Sequence, residues 1–101
     1  NITPYTAAKM GILGLTRSMC VEWAQYNINV NALAPGFVET ELTKKLFENK
    51  EKREWAMGRI PMKRLADPEK DLGCLAIYLA SKASDYINGQ IVYCDGGWTA
   101  N

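Results

Sequence analysis

The chain has 101 residues, 48% of them hydrophobic and 23% charged, with a formal net charge of +1. That balance excludes disordered, collagenous and coiled-coil classes. Twelve basic residues offset by 11 acidic ones, with no basic stripe, also exclude a dedicated nucleic-acid or membrane-surface binder. There is no histidine, and the three cysteines (Cys20, Cys74, Cys94) show no metal-ligand spacing, so no metal site is expected. The isolated cysteines read as buried thiols of a reducing compartment. With no apolar run of about 18 residues and no leader pattern, the expected location is the cytoplasm.

In chain order, Thr3 is a suitable N-cap and Pro4 a suitable first residue for a helix running to about Tyr26. Its Ala-, Leu- and Met-rich circumference predicts burial on more than one side. Gly11 and Gly14, each costing about 1 kcal/mol relative to alanine, predict the close approach of another backbone. Tyr5 and Lys9 stand at i and i+4, so their side chains leave one face with Cβ atoms about 5–6 Å apart. A cation beside a phenol favours the phenolate, which suits the tyrosine to proton transfer. The spacing alone is weak evidence, since this composition yields about 0.4 such matches by chance. A second match, Tyr78 and Lys82, falls at a helix C-terminus, where a lysine complements the dipole; it is read as structural.

Asn27 is read as a stop, and Ile28 to Ala34 as a strand with apolar residues on both faces. Pro35-Gly36 ends it. Ligands of open α/β sheets gather at the carboxyl ends of strands, which makes the Pro35 to Thr40 turn the expected cofactor position. The plainer reading of Thr40 is a cap for the next helix. Glu41 to Met57 reads as a solvated helix pair, Gly58 to Arg64 as a loop, and Asp67-Pro68 as the start of a helix reaching about Ser81. Asn88-Gly89 is a turn, Gln90 to Cys94 a second strand, and Asp95-Gly96-Gly97 a closing turn.

Tyr5-x-x-x-Lys9, Gly11 and Gly14, Asn31-Ala-Leu-Ala-Pro35-Gly36-Phe-Val-Glu-Thr40, Arg59-Ile-Pro61, Leu79-Ala-Ser81 and Asp95-Gly96-Gly97 together resemble the C-terminal part of the short-chain dehydrogenase/reductase family, over essentially all 101 residues. The resemblance implies an α/β fold: the C-terminal portion (helix, strand, helices, strand) of a Rossmann-like doubly wound parallel sheet, with residues 41–64 as a substrate lid. It implies NAD or NADP as cofactor, with Tyr5 as acid/base and Lys9 holding the nicotinamide ribose. Backbone at Pro35, Gly36 and Val38 and the Thr40 side chain would meet the cofactor. It further implies a homo-oligomer, dimer or tetramer, through the Pro4 to Tyr26 helix.

The substrate is expected to be a small molecule carrying a secondary alcohol or ketone. Asp95-Gly-Gly-Trp98 and Ala83-Ser-Asp-Tyr86 are similar to dehydrogenases of gluconate-like sugar acids. Reductases of 3-oxoacyl thioesters, or a non-catalytic module with this fold, are the alternatives. Arg59, Lys63 and Arg64 are candidates to meet a substrate carboxylate, a solvated basic loop being the plainer reading. The family's glycine-rich turn and upstream serine do not occur in these 101 residues, so the chain alone is expected to be inactive.

Overall fold

A computed structural model describes residues 2–100. Helix α1 (Thr3–Trp23) is followed by strand β1 (Ala32–Pro35), helices α2 (Glu41–Leu46) and α3 (Lys50–Arg59), a π-helical segment (Pro68–Gly73) continuing into α4 (Cys74–Leu79), and strand β2 (Ile91–Cys94). The strands pair directly, and the bonds Ala32 N–H to Gln90 O (2.9 Å) and Gly36 N–H to Cys94 O (3.1 Å) advance together along both, so the pairing is parallel. The fold is α/β, as expected. The chain divides into two compact units, one of Asn1–Leu33 with Tyr78–Val92, the other of Ala34–Ile77 with Tyr93–Asn101.

In the first unit, α1 starts one residue earlier than the Thr3 cap predicts. The Ile2 carbonyl already accepts the Thr6 N–H (2.8 Å), so Thr3 is helical, and no side chain caps this end. Pro4 fits in the first turn because it has no N–H to leave unsatisfied. A 3-10 turn (Ala24–Tyr26) follows Trp23 and stops at Asn27, which takes the left-handed conformation at φ 59° as its C-cap. Of α1 only Thr16 is buried, its hydroxyl donating to the Ile12 carbonyl at 2.8 Å. Met10, Ile12, Leu15 and Val21 are exposed, and a Cβ at Gly11 or Gly14 would meet nothing within 4 Å. The predicted close backbone is therefore not found among the described residues.

The strand expected from Ile28 begins only at Ala32. Ahead of it the backbone is held by amide side chains instead of a ladder. Asn88 Oδ1 accepts the Val30 N–H (2.7 Å), Asn31 Oδ1 accepts the Gln90 N–H (3.0 Å), and Asn31 Nδ2 donates to the Ile87 carbonyl (2.8 Å). The helix expected to reach Ser81 ends at Leu79, because Ser81 is extended and its hydroxyl donates to the Tyr78 carbonyl at 2.7 Å.

In the second unit the expected helix pair is present as α2 and α3, with Asn49 capping α3 through the Lys52 N–H (2.9 Å). Helix α3 runs two residues past Met57 into the predicted loop. Lys63, at φ 54°, folds its ammonium back onto the Met57 and Gly58 carbonyls (3.0 and 3.1 Å), a cation on the helix's negative end. Ala56 and Ile60 are the buried hydrophobic side chains among the described residues. Asp67 caps the next helical segment by accepting from the Glu69 and Lys70 N–H groups (2.9 and 2.8 Å). All three cysteines are free; Cys20 and Cys94 are half-buried and Cys74 is exposed, so the expectation of buried thiols does not hold at Cys74. No described helix is long and apolar enough to cross a membrane.

Candidate functional site

In the first unit, Tyr5 and Lys9 lie in the first two turns of α1, on one face. The Lys9 ammonium stands 5.5 Å from the centroid of the Tyr5 ring. Tyr5 is 65% exposed, so its hydroxyl is open to a ligand. The second Tyr-x-x-x-Lys match is not equivalent: Tyr78 belongs to α4, but the extended Ser81 breaks the helix before Lys82. The i, i+4 face that unites Tyr5 with Lys9 does not exist there.

In the second unit, β1 gives way to the turn carrying Gly36, Val38 and Thr40. A Cβ on Gly36 would lie 2.9 Å from the Asp95 Cα, so only glycine lets these two backbone segments close together. Val38 forms a parallel bridge with Ala66, built from the Ala66 N–H to the Phe37 carbonyl (2.9 Å) and the Glu39 N–H to the Ala66 carbonyl (2.8 Å). That bridge uses neither polar group of Val38 itself. The Val38 carbonyl takes the Thr43 hydroxyl at 2.6 Å, and its N–H has no protein partner among the described residues.

Thr40 is the N-cap of α2 in a reciprocal arrangement: its hydroxyl accepts the Thr43 N–H (3.2 Å) while the Thr43 hydroxyl accepts the Thr40 N–H (2.8 Å). The capping reading thus describes what Thr40 does within the chain. Its exposed hydroxyl also lies 3.2 Å from the Thr43 hydroxyl, and since the Thr43 proton goes to the Val38 carbonyl, Thr40 is the donor in that contact.

Beside Gly36 opens a cavity of about 280 Å³ walled by Phe37, Tyr93 and Trp98, with the backbone at Pro35 on its rim. Asp95 at its edge is held below the ordinary carboxylate range, first by the Thr99 hydroxyl (2.7 Å) and then by the Thr99 and Gly97 N–H groups (2.9 Å each). Sequence reasoning missed the aromatic series that continues from this wall. Phe37 meets Phe47 and Trp98 edge-on (5.6 and 5.3 Å), and Trp98 meets Trp55 (5.6 Å). Its members are far apart in sequence, and nothing local points to Trp98. Among the described residues no group of His, Cys, Asp and Glu is placed to hold a metal ion.

The family model described as Enoyl-(Acyl carrier protein) reductase matches residues 1–99. The 5-keto-D-gluconate 5-reductase of Escherichia coli strain K12 is 48% identical over 97 residues, covering 96% of this chain and 38% of that protein. A 3-oxoacyl-(acyl-carrier-protein) reductase from Thermotoga maritima is 45% identical over 95 residues, covering 94% and 37%. The solved structure of a gluconate 5-dehydrogenase from Burkholderia cenocepacia, in complex with NADP and tartrate, matches with a TM-score of 0.91 at 42% identity, covering 98% of this chain and 38% of that one. The chain thus spans well under half the length of the relatives it matches.

Proposed function

Because the chain belongs to the short-chain dehydrogenase/reductase family, we propose that the whole protein is an NAD(P)-dependent oxidoreductase interconverting a secondary alcohol and a ketone, with a gluconate-like sugar acid as substrate. The observation that carries this reading is the Tyr5–Lys9 pair on one exposed helical face. Tyr5 gives its hydroxyl proton to the developing alkoxide in reduction and takes it back in oxidation. Lys9 stabilises the phenolate and donates to the nicotinamide ribose hydroxyls. The bound cofactor supplies the hydride. The unpartnered Val38 N–H suits a carboxamide oxygen, and the exposed Thr40 follows it in the turn that Pro35 and Gly36 begin, where its hydroxyl suits the carboxamide or a phosphate.

Residues 41–64, the α2–α3 segment, are read as the substrate lid of a single Rossmann-like domain. The exposed apolar residues of α1 support an oligomer, dimer or tetramer, formed through that helix. By the same exposure the 101 residues alone are read as inactive. Free thiols support a cytoplasmic location.

A 3-oxoacyl thioester reductase is the second reading, favoured by the Thermotoga maritima relative. A non-catalytic module is disfavoured by the presence of both Tyr5 and Lys9. The test is a dehydrogenase assay of the full-length protein on keto sugar acids and 3-oxoacyl thioesters, with both NADH and NADPH. Turnover of sugar acids alone is expected. Turnover of thioesters alone would move the assignment to the second reading, and turnover of neither would remove the enzyme reading.

A further inference from the structure

Thr43, half-buried in the first turn of α2, has the whole hydrogen-bonding capacity of its hydroxyl in use. It donates its one proton to the Val38 carbonyl at 2.6 Å and accepts the Thr40 N–H at 2.8 Å. The Thr40 carbonyl, 3.0 Å away, is the poorer destination for that proton, because the Lys44 N–H already reaches it at 2.8 Å. With its proton on Val38, the Thr43 oxygen meets the Thr40 hydroxyl at 3.2 Å as an acceptor only, so Thr40 donates. One hydroxyl therefore fixes both the Val38 carbonyl and the direction of the Thr40 proton.

The Thr40 hydroxyl also accepts the Thr43 N–H, which leaves it one lone pair and no proton for a ligand. Two residues earlier, the Val38 N–H is a donor with no protein partner among the described residues. A donor and an acceptor in one turn match the two ends of a primary amide, C=O and NH2. A phosphate oxygen, by contrast, needs a donor, and Thr40 has none left to give. We propose that Thr43 is a positioning residue for the cofactor: it anchors the main chain that offers the Val38 N–H to the carboxamide oxygen, and it leaves the Thr40 hydroxyl an acceptor for the carboxamide NH2. The turn is then set before binding, and its ordering is not a cost of binding. This deepens the NAD(P) reading above and rests on it. All four residues of the arrangement, Val38, Thr40, Thr43 and Lys44, belong to the second unit.

The test is calorimetric titration of the full-length protein with NADH and NADPH, and with the acetylpyridine analogue of each, in which a methyl group replaces the NH2. Wild type is expected to bind the natural cofactor more tightly than the analogue. Thr43→Val is expected to lower that preference by about 3- to 10-fold, the range for one hydrogen bond, and Thr43→Ser, which keeps the hydroxyl, to restore it. A merely structural bond would weaken cofactor and analogue alike and leave the preference untouched. Should Thr43→Val fail to fold, Thr43→Cys, whose thiol is a weak donor and a weak acceptor, carries the same measurement. A variant that keeps the wild-type preference, or a wild type that binds cofactor and analogue alike, would overturn the role of Thr43 and leave the NAD(P) reading standing. A wild type that binds none of them would overturn both.

Discussion

The Arg64 guanidinium grips the Asp71 carboxylate at both ends, one nitrogen 2.5 Å from Oδ2 and the other 2.9 Å from Oδ1, and Oδ2 also accepts the Asp67 N–H at 2.7 Å. The arginine's hydrogen bond, followed by that N–H, holds the Asp71 carboxyl down to about 2 from its ordinary 3.8. A carboxyl depressed in the folded state stabilises the fold at pH above its unfolded value, and that contribution is lost as pH falls from about 3.8 toward about 2. Asp71→Asn is therefore expected to lower the melting temperature at pH 7 and to flatten its decline between pH 4 and 2, followed by circular dichroism. The flattening is partial because Asp67 and Asp95 are depressed as well. Parallel melting curves for variant and wild type across that range would contradict the link.

Tyr5→Phe in the full-length protein is expected to reduce turnover by at least about 100-fold, the low end for a positioned proton-transfer group. Lys9→Met should raise the cofactor dissociation constant, measured by fluorescence titration. Lys82→Met should do neither, since the break at Ser81 separates it from Tyr78's helix. Near-normal turnover of the Tyr5 variant would remove the assignment.

Thr40 has a cap to lose and, on the proposed reading, a cofactor contact too. Thr40→Val should cost about 1 kcal/mol of stability and also weaken NAD(P) binding, while Thr40→Ser restores both. A melt affected without any change in cofactor affinity would leave Thr40 as a cap alone.

At Gly36 the approach of Asp95 leaves no room for a methyl group. Gly36→Ala is expected to destabilise by about 1–3 kcal/mol, the usual range for overpacking, in chemical denaturation of the full-length protein. An unperturbed midpoint would mean that the turn shifts without cost.

The isolated 101 residues expose Met10, Leu15 and Val21 along α1, and exposed apolar residues gathered on one element mark a surface for association. Light scattering is expected to give a mass above that of one chain, reduced by Leu15→Lys. A stable monomer that binds NAD(P) tightly would contradict both the interface and the expected inactivity.

What the sequence determined by itself is what depends on neighbours a few residues away. The i, i+4 geometry of Tyr5 and Lys9, the stop at Asn27, the cap at Asp67 and the left-handed glycines at 89, 96 and 97 follow from local backbone and side-chain preferences. The start of α1 slipped by one residue because two local preferences compete there, and a main-chain bond from Thr6 to Ile2 outweighs the Thr3 cap. Only the tertiary structure decided that Asn29, Asn31 and Asn88 hold the chain ahead of β1, across separations of 56 to 59 residues, and so delay the strand to Ala32. Only it set Asp95 against Gly36 and Trp98 against Arg59. Those contacts join parts of the chain whose local patterns carry no trace of each other; they form because folding brings the ends of two parallel strands side by side, and what each strand end carries then meets the other.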